Sequence, residues 1–154
     1  MTSSVEKKLA ELGITLPTPT PPLANYVPVV QTGNLLFISG QLSIDTAGKL
    51  FAGKLGGDVD IATGQAAAKA SAINLLAQTK ATIGDLDKVV RIVKLVAFVN
   101  STPDFVDQPK VVNGCSDFLV EVFGDKGRHA RSAVGIAALP MNAAVEVEAV
   151  IEVA

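Results

Sequence analysis

Arg131 is the residue whose type and setting point most directly to chemistry. Residues 127–153 read as two strands joined by a short turn. The first strand covers 130–139, Pro140-Met141-Asn142 is the turn, and the second strand covers 143–153. Pro and Asn punctuate, and Val- and Ile-rich runs flank them. Side chains alternate faces along a strand. Arg131 therefore shares a face with Ala133, Gly135, Ala137 and Leu139. A guanidinium is always charged and binds a carboxylate through two parallel hydrogen bonds, and its small neighbours leave room for one. On the second strand Val145, Val147, Ala149, Ile151 and Val153 share one face, and Glu146, Glu148 and Glu152 the other. An arginine beside an empty space, with a carboxylate on the paired strand, is the candidate site. The same pattern also suits a structural ion pair across the hairpin, from Arg131 to Glu146 or Glu148.

Other chemistries find less support. The single Cys, Cys115, excludes an intrachain disulfide framework, and with one His in the chain no His/Cys metal site is expected. Residues 48–55 nearly spell a phosphate-binding loop, but Leu55 stands where the magnesium-holding Ser or Thr is needed, and Gly56-Gly57 follows where a helix should begin. The net charge is -2 and no Lys/Arg run or aromatic-interleaved basic patch occurs, so the electrostatic footprint of a nucleic-acid binder is missing.

The elements that must position these residues follow from the rest of the chain. Its 154 residues suit one domain with a sizeable core. Hydrophobic residues make up 49% and charged ones only 18%, which argues against disorder and for apolar surface buried between subunits. Residues 1–24 form an N-terminal unit, a short amphipathic helix with Val5, Leu9 and Leu12 on one face and then a Pro-rich connector at 16–22, expected to lie on the domain of residues 25–154. The helix lacks the apolar core and cleavage site of a secretory signal, and no apolar run approaches the ~18 residues of a membrane span, so a cytoplasmic protein is expected.

Residues 25–30 read as an edge strand, since Pro28 argues against a central one, with the lone Tyr, Tyr26, half-buried. Residues 34–41 read as a strand buried on both faces, ending at Gly40, and Lys49-Leu50-Phe51 as a short strand. A long helix runs from Asp58, with Asp60 as the other cap candidate, to Ile83, and Gly84 stops it. A strand follows over 89–99. Ser101-Thr102-Pro103-Asp104 opens a second helix, kinked at Pro109, with Val112, Cys115, Leu119 and Val122 as its stripe. Asn100-Ser101-Thr102 matches a glycosylation sequon and is read instead as the start of that helix. Cys115 reads as a small buried residue rather than a nucleophile, and His129 as an exposed loop residue. The order predicts an α+β fold, a mixed sheet with two long helices on one face.

The chain resembles the Rid family, also called YjgF-type and named endoribonuclease L-PSP in older usage. The resemblance spans residues 26–153. It is carried by residues 33–41 (GNLLFISGQ), 96–100, Asn113, Ala130-Arg131-Ser132-Ala133-Val134, Leu139-Pro140 and Val145-Glu146-Val147-Glu148-Ala149. The N-terminal helix and connector look like a longer branch. The resemblance implies a chorismate-mutase-like fold and a homotrimer with clefts between subunits. It also implies cofactor-free hydrolysis of reactive 2-imino or enamino acids to 2-keto acids. In that reading Arg131 grips the substrate carboxylate and Glu146 orients the attacking water. Tyr26, Gly40, Ala133 and Asn113 line the substrate. Ala133 stands where many family deaminases carry Cys. Three functions are therefore in competition: an imine deaminase, a non-catalytic trimer holding small carboxylates, and a ribonuclease, which the acidic charge balance disfavours.

Overall fold

The computed structural model describes residues 3–154. Helix α1 spans Ser4–Glu11, strands β1 and β2 span Val29–Thr32 and Leu35–Leu42, and helix α2 spans Ile61–Ile83. Strand β3 covers Val89–Asn100, helix α3 Gln108–Phe123, strand β4 Ala130–Ile136 and strand β5 Val145–Val153. The strands form one sheet in the order β1-β2-β5-β3-β4. Only β3 and β4 pair in parallel; the other neighbours are antiparallel. The fold is the expected α+β plan.

Strand β5 sits in the middle because its sequence can bury one whole face. Val145, Val147, Ala149, Ile151 and Val153 are all 4% exposed or less. They meet α2, which packs side by side with α3 over a core that includes Leu36, Ile38, Leu95, Ala97 and Val99. Helix α2 starts on Asp60, whose carboxylate accepts from the Thr63 N–H at 2.8 Å, and stops at Gly84. Its alanines let it lie close to the sheet, with Ala67, Ala68 and Ala72 fully buried. The buried stripe of α3 includes Val112, Cys115, Leu119 and Val122, as the spacing predicted. Helix α1 is tied to the domain by the Asp87 carboxylate, which accepts from the Ser4 and Val5 N–H groups, and by Leu9 in the core.

Several expectations need correction. The two C-terminal strands do not form a hairpin. Strand β4 pairs with β3 at the sheet edge, whereas β5 lies between β2 and β3. A parallel strand reached from β3 through α3 satisfies the backbone of β4, and the local turn cue at 140–142 marks only a change of position. Helix α3 begins at Gln108, not at Ser101, so Pro109 lies in the first turn, where no helical N–H is lost, and kinks nothing. Asn100 ends β3 fully buried, its amide donating to Asn142 Oδ1 and the Ala143 carbonyl, so the sequon is structural and starts no helix. The first strand begins at Val29, just after Pro28, and Asp60 rather than Asp58 caps α2. Residues 49–51 contribute an isolated bridge, Ile44 to Leu50, rather than a strand. In β2 one face is buried, but Phe37 on the other is 44% exposed, so this chain alone does not cover both faces. The glycine-rich stretch at 48–55 is a loop whose Lys54 ammonium bonds Asn100 Oδ1 and the Ala137 carbonyl, a structural use with no phosphate role.

The helix pair depends on one close approach. A Cβ on Gly114 of α3 would sit 2.1 Å from the Gln65 carbonyl oxygen of α2. Alanine normally favours a helix over glycine by up to ~1 kcal/mol. Here the backbone clash overrides that preference, because helix axes must separate. We expect Gly114→Ala to destabilise the fold by about 1–3 kcal/mol, read as a lower denaturant midpoint; an unchanged or raised midpoint contradicts the contact.

Candidate functional site

Glu146 projects from β5 on the face away from the helices. Its register partners are Leu42 on β2 and Phe98 on β3. The β2–β5 ladder breaks there: Ile38 faces Ala149 but Gln41 faces Val147, so β2 carries an extra residue around Ser39-Gly40. Such a bulge re-aims the local backbone. It creates the seat of the carboxylate. A Cβ on Gly40 would lie 2.2 Å from Glu146 Oε1, so only glycine fits at that position while the carboxylate keeps its place. Partial burial of Glu146, and then the like charge of Glu148, raise its pKa above the ordinary 4.5. A carboxyl so poised accepts and returns protons nearer neutrality than an exposed one.

Gly40 also borders a cavity of about 560 Å³, together with Tyr26, Gln41, Asn74, Gln78 and the Pro17–Pro22 stretch of the connector. Tyr26 is 56% exposed, more open than the half-buried placement expected of it. Gly40 thus touches two things: the cavity it shares with Tyr26, and the Glu146 carboxylate, which does not line that cavity.

Arg131 belongs to another. It pairs with Leu95 in the β3–β4 ladder and turns to the helix-covered face. Its Nη1 donates to Ser116 Oγ at 3.1 Å and its Nη2 to the Pro109 carbonyl at 3.3 Å. Both partners lie on α3. Asn113 sits between them at helical spacing, so it shares the α3 face that holds the guanidinium. Ala133, two residues along β4, is half-buried against the core. Among the described residues two of the guanidinium's five N–H donors are engaged, which leaves capacity for a carboxylate.

Within one chain the structure therefore divides the expected site. Arg131 and Glu146 lie two strands apart in the sheet and on opposite faces. The ion pair across a hairpin does not form: the ion pairs among the described residues are Glu6–Lys80, Asp107–Lys110 and Asp125–Arg128. Two residues near Arg131 differ from the reading of the sequence or escape it. His129 is half-buried rather than exposed, with Nδ1 2.6 Å from the Gly127 carbonyl and Nε2 2.9 Å from Ser116 Oγ. Burial, more than the nearby Arg131 charge, lowers its pKa, while the Gly127 bond opposes the shift. Ser116 was missed; the signal was its position seven residues after Pro109, on the same helix face. Cys115 is fully buried, and burial pushes its thiol up to about 12 despite the Arg131 charge, so it is inert as a nucleophile. Among the described residues no group of His, Cys, Asp and Glu is arranged to hold a metal ion, and no helix is long and apolar enough to cross a membrane.

Comparison with known proteins places this geometry. Residues 6–153 match the family described as "YjgF/chorismate_mutase-like, putative endoribonuclease". Protein TCP17 of Trypanosoma cruzi is 49% identical over 149 residues, covering 96% of this chain and 93% of that protein. The 2-iminobutanoate/2-iminopropanoate deaminase of Dermatophagoides farinae is 27% identical, covering 90% of this chain and 93% of its own. Among solved structures, a protein of unknown function from Agrobacterium tumefaciens aligns with a TM-score of 0.91 at 50% identity, covering 98% and 94% of the two chains. A Shewanella oneidensis protein described as an endoribonuclease aligns with a TM-score of 0.92 at 33% identity, covering 97% and 99%. The family match over nearly the whole chain and relatives of 33% identity and above agree: this chain belongs to the YjgF-type, or Rid, family.

Proposed function

We propose that the protein is a cofactor-independent deaminase that hydrolyses reactive 2-imino or enamino acids to 2-keto acids, in clefts between the subunits of a homotrimer. The observation that carries the reading is the Glu146 carboxyl, seated against the Gly40 bulge on the sheet face away from the helices, with a raised pKa. A second copy supplies what one chain separates: its Arg131 edge brought against the Glu146 face of its neighbour joins the two groups. The face that carries Glu146 also exposes Phe37, Val30 and Val134, apolar surface that a neighbouring copy would bury. The family likeness to an iminobutanoate deaminase supports the substrate class.

The chemistry follows from the two groups. Arg131 binds the substrate carboxylate and fixes the imine carbon near Glu146. With the imine bound as its protonated iminium, Glu146 takes a proton from water as the water oxygen adds to the C=N carbon, giving a neutral carbinolamine. The same carboxyl returns that proton to nitrogen; the C–N bond then breaks as the hydroxyl becomes the carbonyl and gives its proton back to Glu146, and ammonia leaves with the 2-keto acid. Tyr26, Gly40 and Asn113 shape the cleft, and Ala133 contributes backbone where a thiol would otherwise stand. The competing reading, a trimer that binds small carboxylates without turnover, draws on that missing thiol. A ribonuclease draws only on the family's description, and the net charge of -2 weighs against it.

An amino-acid oxidase that generates imino acids in situ, coupled to detection of the keto acid, tests the reading. We expect Arg131→Ala to lower kcat/KM by about 10- to 100-fold, the loss of ~1.4–2.8 kcal/mol or about one charge-assisted hydrogen bond, and Glu146→Gln to reduce kcat further. Tight keto-acid binding with no turnover supports the non-catalytic trimer; no acceleration with any imino acid sinks the deaminase.

The pH profile provides a second check. Glu146 works as its carboxylate, so the rate should rise with pH through a midpoint above the ordinary 4.5. Glu148 contributes to that midpoint by repulsion. Glu148→Gln should move the acid limb to lower pH and leave the plateau unchanged. A limb that stays in place shows that Glu148 does not tune the base.

A further inference from the structure

We propose that Ser116 and His129 are positioning residues for Arg131, aiming its guanidinium through one directed hydrogen-bond chain. The inference rests on the reading of Arg131 as the carboxylate anchor and adds two residues to it.

The direction of the chain follows from donor and acceptor chemistry. The Gly127 carbonyl can only accept, so His129 Nδ1, 2.6 Å away, carries the ring hydrogen. In that neutral tautomer Nε2 is the acceptor. The Ser116 hydroxyl, 2.9 Å from Nε2, must therefore donate to it. Its hydrogen is then committed, and the oxygen lone pairs remain for Arg131 Nη1 at 3.1 Å. A serine within a helix can instead donate to the carbonyl four residues back, which would leave Nε2 without a donor. Here the imidazole takes that hydrogen and fixes the rotor. Strand alternation supports the arrangement, since His129 and Arg131 are two residues apart and point the same way.

The chain is needed because a long flexible arginine carries ~2 kcal/mol of rotamer entropy. Arg131 stands on an edge strand whose neighbours Ala133 and Gly135 offer no walls. Its hold comes instead from α3, through the Pro109 carbonyl at one end and Ser116 at the other. Protonating His129 turns Nε2 into a donor. Ser116 Oγ then faces two cationic donors, and the chain loses its direction. The lowered pKa of the imidazole, caused chiefly by burial, keeps the working tautomer dominant at neutral pH.

Two measurements test the inference. Nitrogen-15 NMR of the imidazole at neutral pH should show Nδ1 protonated and Nε2 bare; an Nε2-protonated ring or an imidazolium overturns the proposal, whatever the protein binds. Calorimetry with 2-oxobutanoate then reads the consequence. Ser116→Ala and His129→Ala should each weaken binding about 5- to 20-fold. Ser116→Thr and His129→Gln, which keep a hydroxyl and an acceptor in place, should recover most of it, as poor folding would not allow. If Arg131→Ala abolishes binding while Ser116→Ala and His129→Ala bind as the native protein does, the chain is wrong and the anchor stands. If Arg131→Ala binds undiminished, the anchor itself fails, and the NMR result alone decides the chain.

Discussion

The burial of one face of β5 is the constraint from which the rest of the molecule follows. Five apolar side chains from Val145 to Val153 lie in the core under the helix layer, against α2. That placement is favourable only where both strand edges are paired, since a buried backbone N–H or C=O without a partner costs as much as a lost hydrogen bond. The strand therefore sits between β2 and β3, not beside β4. With its odd positions fixed inward, Glu146, Glu148 and Glu152 must point to the other face. Glu146 alone of the three meets the β2 bulge, and that local irregularity, rather than the sheet as a whole, separates it from its neighbours.

Most of the elements were legible because each rests on a local signal. The stop at Gly84, the α3 stripe through Cys115, and the alternation of β5 all follow from neighbours within one turn or one pleat. What escaped was set by partners distant in sequence. Nothing near residues 140–142 says that β5 crosses over to β2. The start of α3 slipped because Ser101-Thr102-Pro103 has the composition of a helix start. There the backbone is taken by tertiary partners instead: the Thr102 N–H donates to the Leu55 carbonyl. His129 looked exposed for the same reason, since its partner Ser116 is joined to it only once α3 packs on β4. The candidate site divided likewise. Arg131 stood out by type and pattern, and the family resemblance singled out Glu146 from three glutamates and added Gly40, but which face each occupies relative to the others was a property of the sheet order.

Two independent facts meet at the Gly40 bulge. The register slip would exist with any small residue, and a half-buried glutamate could occur on any strand. Their coincidence leaves no space for a Cβ, so the backbone of β2 itself forms one wall of the carboxylate's seat. A carboxyl held against backbone is restricted in rotation, and its desolvation raises the cost of ionisation. Both properties suit a group that must give back the proton it takes. Glu148, exposed two residues on, has neither, and its part is to add charge to a site that it does not enter.

The two faces of the sheet also explain how an arginine and a glutamate can serve one reaction without neutralising each other. Placed on adjacent strands of one chain they would form an ion pair, which would hold the carboxylate ionised at low pH and occupy the donors needed for substrate. Separation by sheet order prevents this in the free chain. Arg131 is held by neutral partners on α3, a hydroxyl and a carbonyl, which orient the guanidinium without cancelling its charge. Glu146 is held by backbone and apolar neighbours, which raise its pKa where a cation would lower it. In the proposed cleft the anionic substrate then stands between them and takes up the charge of Arg131, so the glutamate meets a partly neutralised field and keeps its capacity as a base. The arrangement demands that Arg131 be fixed by something other than Glu146, and the chain through Ser116 to His129 meets that demand.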